Sequence, residues 1–125
     1  MKEGDVVLTP VPQADGAVKN RPAIVLRELP PYRDLLVCGV STQVHQYVTG
    51  FDEIVLTDDP DFESSGLLQQ SLIRLGFLAV LPSNKIIGTI GSISPERHQR
   101  LLRTLGNHLT ENLQEGAART NKEQP

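Results

Sequence analysis

Apolar residues along this chain come in short runs, each closed by proline, glycine or charge. Asp5-Val6-Val7-Leu8-Thr9 is the first run and predicts a strand, ended by Pro10 and Pro12. A polar, glycine-bearing loop follows from Val11 to Asn20. Ala23 to Leu29 is then apolar on both alternating faces, the pattern of a strand covered on two sides. Leu29-Pro30-Pro31-Tyr32-Arg33 reads as a turn or extended connection, because proline gives no N–H to a ladder. Leu35 to Thr42 predicts a third strand that leaves through Ser41 and Thr42, and another is expected around Asp52 to Thr57. Ser71 to Leu81 is the longest candidate. Ile73, Leu75, Phe77, Ala79 and Leu81 alternate onto one apolar face, with Arg74 on the other face between Leu72 and Gly76. Lys85 to Ile90 offers a further short strand.

After Ile93 the period changes. Ser94-Pro95-Glu96 has the marks of a helix start: a capping hydroxyl, a proline suited to the first turn, and a carboxylate facing the positive end of the dipole. Leu101, Leu102, Leu105, Leu109 and Leu113 then recur at helical spacing as one apolar stripe, expected to pack on the strands. Residues 116–125 contain no apolar anchor and are expected to be disordered. The predicted architecture is mainly β, an SH3-like barrel of five to seven short strands with a C-terminal amphipathic α-helix, in one domain over residues 1–115.

Composition narrows the function classes. The 125 residues suffice for one hydrophobic core, and no apolar run approaches the ~20 residues of a membrane helix. With no secretion-signal pattern at Met1 to Asp5 and a single cysteine, Cys38, expected to be a small buried residue, the chain reads as cytoplasmic. A net charge of −3 argues against broad, nonspecific nucleic-acid binding but leaves room for a local basic groove. Phosphate-cradling glycine loops and nucleophile elbows are absent. His98 and His108 read as surface residues, and the acidic stretch Asp58 to Glu63 lacks calcium-loop spacing and reads as solvated. No metal and no cofactor is predicted.

What remains is a set of polar and cationic groups at strand ends: Arg21, Ser41, Thr42, His45 and Arg74. Arg21 precedes Pro22, which restricts it to extended backbone at the mouth of a strand. Arg74 in mid-strand must reach water, a carboxylate or an anionic ligand, because burying it unpaired is expensive. Two guanidiniums can clamp a phosphate and offset charge that builds in a transition state. No metal is required where the nucleophile belongs to the substrate, as the 2′-hydroxyl of RNA does. Lys19 and Tyr47 are further candidates for contacting RNA, and Tyr32, Tyr47 and Phe51 are the aromatics available to stack on bases.

The ordered set Gly4-Asp5-Val6-Val7, Arg21-Pro22-Ala23-Ile24-Val25-Leu26, Val40-Ser41-Thr42, Gly66-Leu67 ahead of Ser71, and Gly88…Ile93-Ser94-Pro95-Glu96 before a leucine-rich helix resembles the MazF/PemK family of toxin endoribonucleases. The resemblance runs from about Gly4 to Leu113. It implies a homodimer that cleaves single-stranded RNA without metal, and a small antitoxin partner that occludes the RNA groove and brings the complex to DNA. It further implies that Arg21 stabilises charge at the scissile phosphate, that Thr42 positions that phosphate, and that Arg74 acts at the leaving oxygen. Two positions depart from the family pattern. Gly76 stands where the PemK-like branch has an aspartate, and the first loop, Asp15-Gly16-Ala17-Val18, contains no glutamate. Asp15 and His45 are the candidate bases in their place. The competing expectation is a noncatalytic barrel that holds RNA or a protein target, as barrel relatives that poison gyrase do.

Overall fold

The computed structural model describes residues 1–12 and 14–111. Within them the apolar runs become six strands: β1 (Asp5–Pro12), β2 (Val18–Leu29), β3 (Asp34–Ser41), β4 (Glu53–Val55), β5 (Ser71–Leu81) and β6 (Gly88–Ser92). A short helix, α1 (Phe62–Ser65), lies between β4 and β5, and α2 (Pro95–Thr110) follows β6. All pairings are antiparallel, in the order β4-β5-β3-β2-β1-β6. The sheet curls into a half-barrel, with β4 and β6 as its edges. α1 packs on β6 so closely that a Cβ on its C-capping Gly66, already in left-handed backbone at φ 74°, would run into the Ile90 carbonyl. This is the mainly β fold with a C-terminal helix that the sequence predicts.

Several boundaries differ from expectation, for identifiable reasons. Pro10 and Pro12 do not end β1. The Leu8 carbonyl accepts from the Ile87 N–H at 2.8 Å, so Leu8 faces β6, and alternation turns Pro10 and Pro12 the same way. The β1–β6 ladder stops at Leu8↔Gly88, so the missing proline N–H groups fall on an open edge where no partner needs them. β2 likewise starts at Val18 rather than Ala23 and runs through Pro22, since its ladder to β3 begins only at Ala23↔Gly39. The strand expected at Asp52 to Thr57 is shorter, Glu53–Val55. The one expected at Lys85 to Ile90 is shifted to Gly88–Ser92, with Lys85 in a single 3-10 turn.

The largest departure lies in β5. Gly39 pairs with Arg74 and Cys38 with Leu78, leaving Leu75, Gly76 and Phe77 as a three-residue bulge. An odd number of extra residues exchanges the faces of a strand. Ile73 and Leu75 therefore enter the core with Val6, Ile24, Leu26, Cys38 and Val40, under Leu101 and Leu105 of α2. Beyond the bulge, Ala79 pairs with Val37 and Leu81 packs against the second cluster, of Val7, Ala23, Val25, Leu35 and Val37 on the opposite face. The expected continuous face from Ile73 to Leu81 is thus split between two sides of the sheet, and Phe77 is 53% exposed. The Leu75 N–H, which the bulge takes out of the ladder, donates to Asp52 Oδ1 at 3.0 Å, and the other Asp52 oxygen accepts from Val48 at 3.1 Å.

Helix α2 begins as predicted: the Ser94 hydroxyl accepts from the Arg97 N–H at 3.1 Å with Pro95 in the first turn. Its stripe buries Leu101 and Leu105, but Leu109 is exposed; His108 beside it is exposed as expected, its ring 4.9 Å from that of Phe51. Leu113 and the expected disordered tail lie outside the described residues. His98 is half-buried, not a surface residue; its Nε2 donates to the Leu26 carbonyl at 2.8 Å. The acidic stretch is also not simply solvated. Buried Arg97 donates to both oxygens of Asp61 (2.8 and 3.1 Å), to Asp59 (3.0 Å) and to Glu53 (2.9 Å), fastening α2 to the loop after β4. Burial alone would push the Asp61 carboxyl up, but the bonds from Arg97 and from the Ser94 amide hold it below its ordinary value.

Candidate functional site

The strand register brings distant residues into one row. Thr9 pairs with Arg21 across β1 and β2, Ala23 with Gly39 across β2 and β3, and Gly39 with Arg74 across β3 and β5. Arg21 and Ala23 share a face of β2, so both arginines stand on the same side of the sheet, at its rim beyond the second apolar cluster. Here the sheet forms a groove of about 430 Å³, floored by Ala23, Val37, Gly39 and Val40. Arg21, Ser41, Thr42 and Arg74 all line it. These are four of the seven residues the sequence nominates.

Local structure fixes each of them. Arg21 lies mid-ladder, its carbonyl accepting from the Thr9 hydroxyl at 3.4 Å. The Ser41 hydroxyl accepts from the Gln43 N–H at 3.0 Å, and the Thr42 carbonyl from the Val44 N–H at 2.9 Å. Those two bonds form the turn that leaves the Thr42 side chain exposed at the groove. Arg74 lies over the Phe77 ring, its guanidinium carbon 5.4 Å from the centroid. The same bulge that flips β5 puts these two residues on one face.

The electrostatics are one-sided. Among the described residues, the groove lining has two guanidiniums and no carboxylate or histidine, in a chain whose net charge is −3. Apolar walls lower the local dielectric and strengthen the pull of such a pair on an anion. The hydroxyls of Ser41 and Thr42 add neutral groups able to donate to an anion, while the Thr9 hydroxyl is already engaged with the Arg21 carbonyl.

The other three nominated residues, and the candidate base Asp15, stand apart from the lining. Lys19 is exposed on β2 opposite Val11, which does line the groove. His45 is exposed in the 3-10 turn Val44–Gln46, and Tyr47 follows it. Asp15 is exposed in the loop between β1 and β2, its Oδ1 accepting from the Ala17 N–H at 2.9 Å. Gly76 lies in the bulge, where a Cβ would meet the Phe51 ring at 3.4 Å. Sequence reasoning placed Phe77 in the core and so missed it as a groove residue. The available signal was the adjacent Gly76, since glycine inside a strand marks a bulge.

Comparison with known proteins agrees with this fold. A family model described as the PemK-like, MazF-like toxin of type II toxin-antitoxin systems matches residues 2–109. No curated protein sequence matches the chain. Among solved structures, the Mycobacterium tuberculosis toxin MazF-mt6 is similar with a TM-score of 0.59 and 22% identity, over 82% of this chain and 93% of that one. A second, described as the crystal structure of an Mtb toxin, is similar with a TM-score of 0.55 and 20% identity, over 78% of this chain and 97% of the other.

Proposed function

The chain belongs to the PemK-like, MazF-like family of type II toxins, and from that premise we propose that it is a metal-independent endoribonuclease acting on single-stranded RNA. The observation that carries this reading is the groove with Arg21 and Arg74 on one side of the sheet and no carboxylate in its described lining. In the proposed reaction the 2′-hydroxyl attacks the adjacent phosphorus, the bond to the 5′-oxygen breaks, and a 2′,3′-cyclic phosphate forms. Arg21 and Arg74 offset the charge that grows on the phosphate oxygens, and Thr42 orients the phosphate. Arg74 acts electrostatically before it acts as an acid, because a guanidinium holds its proton too tightly to release it readily. The attacking hydroxyl's proton goes to a base, for which Asp15 and His45 are the candidates, and the departing 5′-oxygen takes a proton from solvent water.

The family also supports a small antitoxin as partner, a homodimer and a cytoplasmic location as proposals. Among the described residues, no helix is long and apolar enough to cross a membrane. For the dimer there is structural support: β4 pairs only with Ser71 to Ile73, so the outer edge of β5 beyond them is unpaired, and Val80 there is 53% exposed.

One observation favours a second reading, a noncatalytic module that binds RNA or a protein target. Both candidate bases stand outside the groove lining. The two readings separate in one experiment. Purified protein with single-stranded RNA in EDTA should release fragments ending in 2′,3′-cyclic or 3′-phosphate. Arg21→Ala and Arg74→Ala should each slow release by ~10²–10³-fold without lowering the melting temperature. Tight binding with intact RNA would establish the binding module, and gyrase inhibition without any effect on RNA would establish a protein target.

A further inference from the structure

Phe77 has no role in the mechanism above, yet its setting is unusual for a phenylalanine. It lines the groove while remaining 53% exposed, on the same face as Arg74. A Cβ on Gly39 would fall inside contact of Phe77 Cδ2, 3.1 Å from Cε2 and 3.4 Å from Cγ. Lengthening distances to both ring neighbours of Cδ2 describe an approach at the ring's edge rather than its face. The ring therefore stands on Gly39 by its rim. Arg74 lies over the ring at 5.4 Å from the centroid, and the 53% exposure of Phe77 shows that aromatic surface beyond this contact is open at the groove.

Exposing that surface costs stability, since removing a phenylalanine ring from water is favourable. A side chain that merely filled space could turn inward if the strand alternated regularly. The bulge at Leu75 to Phe77 prevents this, and the Leu75 amide bond to Asp52 holds the bulge in place.

We propose that Phe77 is a nucleobase platform: a base next to the phosphate held by Arg74 stacks on the open ring. This rests on the reading of the groove as an RNA site. An arginine on a phosphate with an aromatic ring beside it is the arrangement by which single strands are held, because every base has a π-face and the backbone supplies the charge. The spacing suits one nucleotide, with sugar and base extending from the clamped phosphate along the apolar wall. The platform would favour bases by stacking strength rather than by hydrogen-bond pattern.

The test uses short single-stranded oligonucleotides with 2′-O-methyl groups, which block the attack, carrying 2-aminopurine at successive positions. Stacking on Phe77 quenches the fluorophore at one position in the wild-type protein. Phe77→Leu should lose that quench and weaken binding by roughly 5- to 100-fold, the range of one base–aromatic stack, while Phe77→Trp keeps both. An abasic residue at the quenched position should cost the wild type that same factor and cost Phe77→Leu almost nothing. Wild-type binding with an unchanged quench in Phe77→Leu overturns the platform and leaves the RNA reading standing. So does a loss of affinity in Phe77→Leu that is equal for intact and abasic strands, since Phe77 would then act only by holding Arg74. A wild-type protein that binds no single strand overturns the RNA reading and the platform with it.

Discussion

Replacing Arg97 by methionine tests how the helix is held to the sheet. The methionine fills much of the same volume, so the change isolates the guanidinium. That group is 7% exposed and makes four short bonds: two to Asp61, which is 5% exposed, and one each to Asp59 and Glu53 at 25% and 19%. Removing one partner of a buried pair costs about 3–5 kcal/mol, chiefly because the other charge stays buried without compensation. For a domain of this size that lowers the melting temperature by ~10–20 °C. The pH dependence adds a sharper signature. Asp61 titrates below its ordinary 3.8 when folded, so its contribution is complete above that value and is lost as pH falls through the folded one. In the variant only the Ser94 amide bond still opposes burial, so the carboxyl titrates higher than in the wild type and acid removes less there. Urea unfolding followed by circular dichroism should therefore show a large gap between the two proteins at neutral pH that narrows below about pH 4. Arg100, whose side chain is 50% exposed against Glu53, serves as the control, and Arg100→Ala should cost under ~0.5 kcal/mol after solvent screening. A neutral-pH loss below about 1 kcal/mol for Arg97→Met, or a gap indifferent to acid, would refute the staple.

Other expectations follow from the bulge and the groove. Gly39→Ala must displace Phe77, but that ring can swing into solvent; stability should change by less than ~1 kcal/mol while RNA binding falls, and a strongly lowered melting temperature would count against this. Asp52→Ala strips the acceptor from two amides and should cost roughly 1–3 kcal/mol, with hydrogen exchange at Leu75 and Val48 accelerated above that of neighbouring strand amides. Burial pushes the Cys38 thiol up to about 12, so iodoacetamide should leave it untouched in the native protein and modify it only in denaturant.

The parts of the fold that were legible in the sequence are those governed by local rules. Ala23 to Leu26 of β2 and Leu35 to Val40 of β3 are apolar runs, and Ser94-Pro95 announces its helix through a cap that depends on neighbours three residues apart. Arg74 was conspicuous as a charge in mid-strand, whereas Arg21 and Thr42 were nominated through the order of motifs that resembles the family; the register brings all three, with Ser41, to one groove. The Arg97 cluster was not legible. Its partners lie 36 to 44 positions away, and nothing in a run of Asp and Glu distinguishes a solvated loop from one that folds around a distant guanidinium. Nor was Phe77. Strict alternation assigns it to the core, and only the pairing of β5 with β3, which is set by tertiary contact, shows where alternation is interrupted.

That interruption places unequal demands on sequence change. Of the three bulge residues, Gly76 and Phe77 are exposed and can be exchanged with local consequences, whereas Leu75 is fixed by its burial in the core. The number of residues there is not free to change. Inserting or deleting one residue among them would send every side chain from Leu78 to Leu81 through the sheet, empty the second apolar cluster of Leu81, and part Phe77 from Arg74. The bulge is therefore more open to substitution than to change of length, much as a coding frame tolerates altered letters more readily than a lost one.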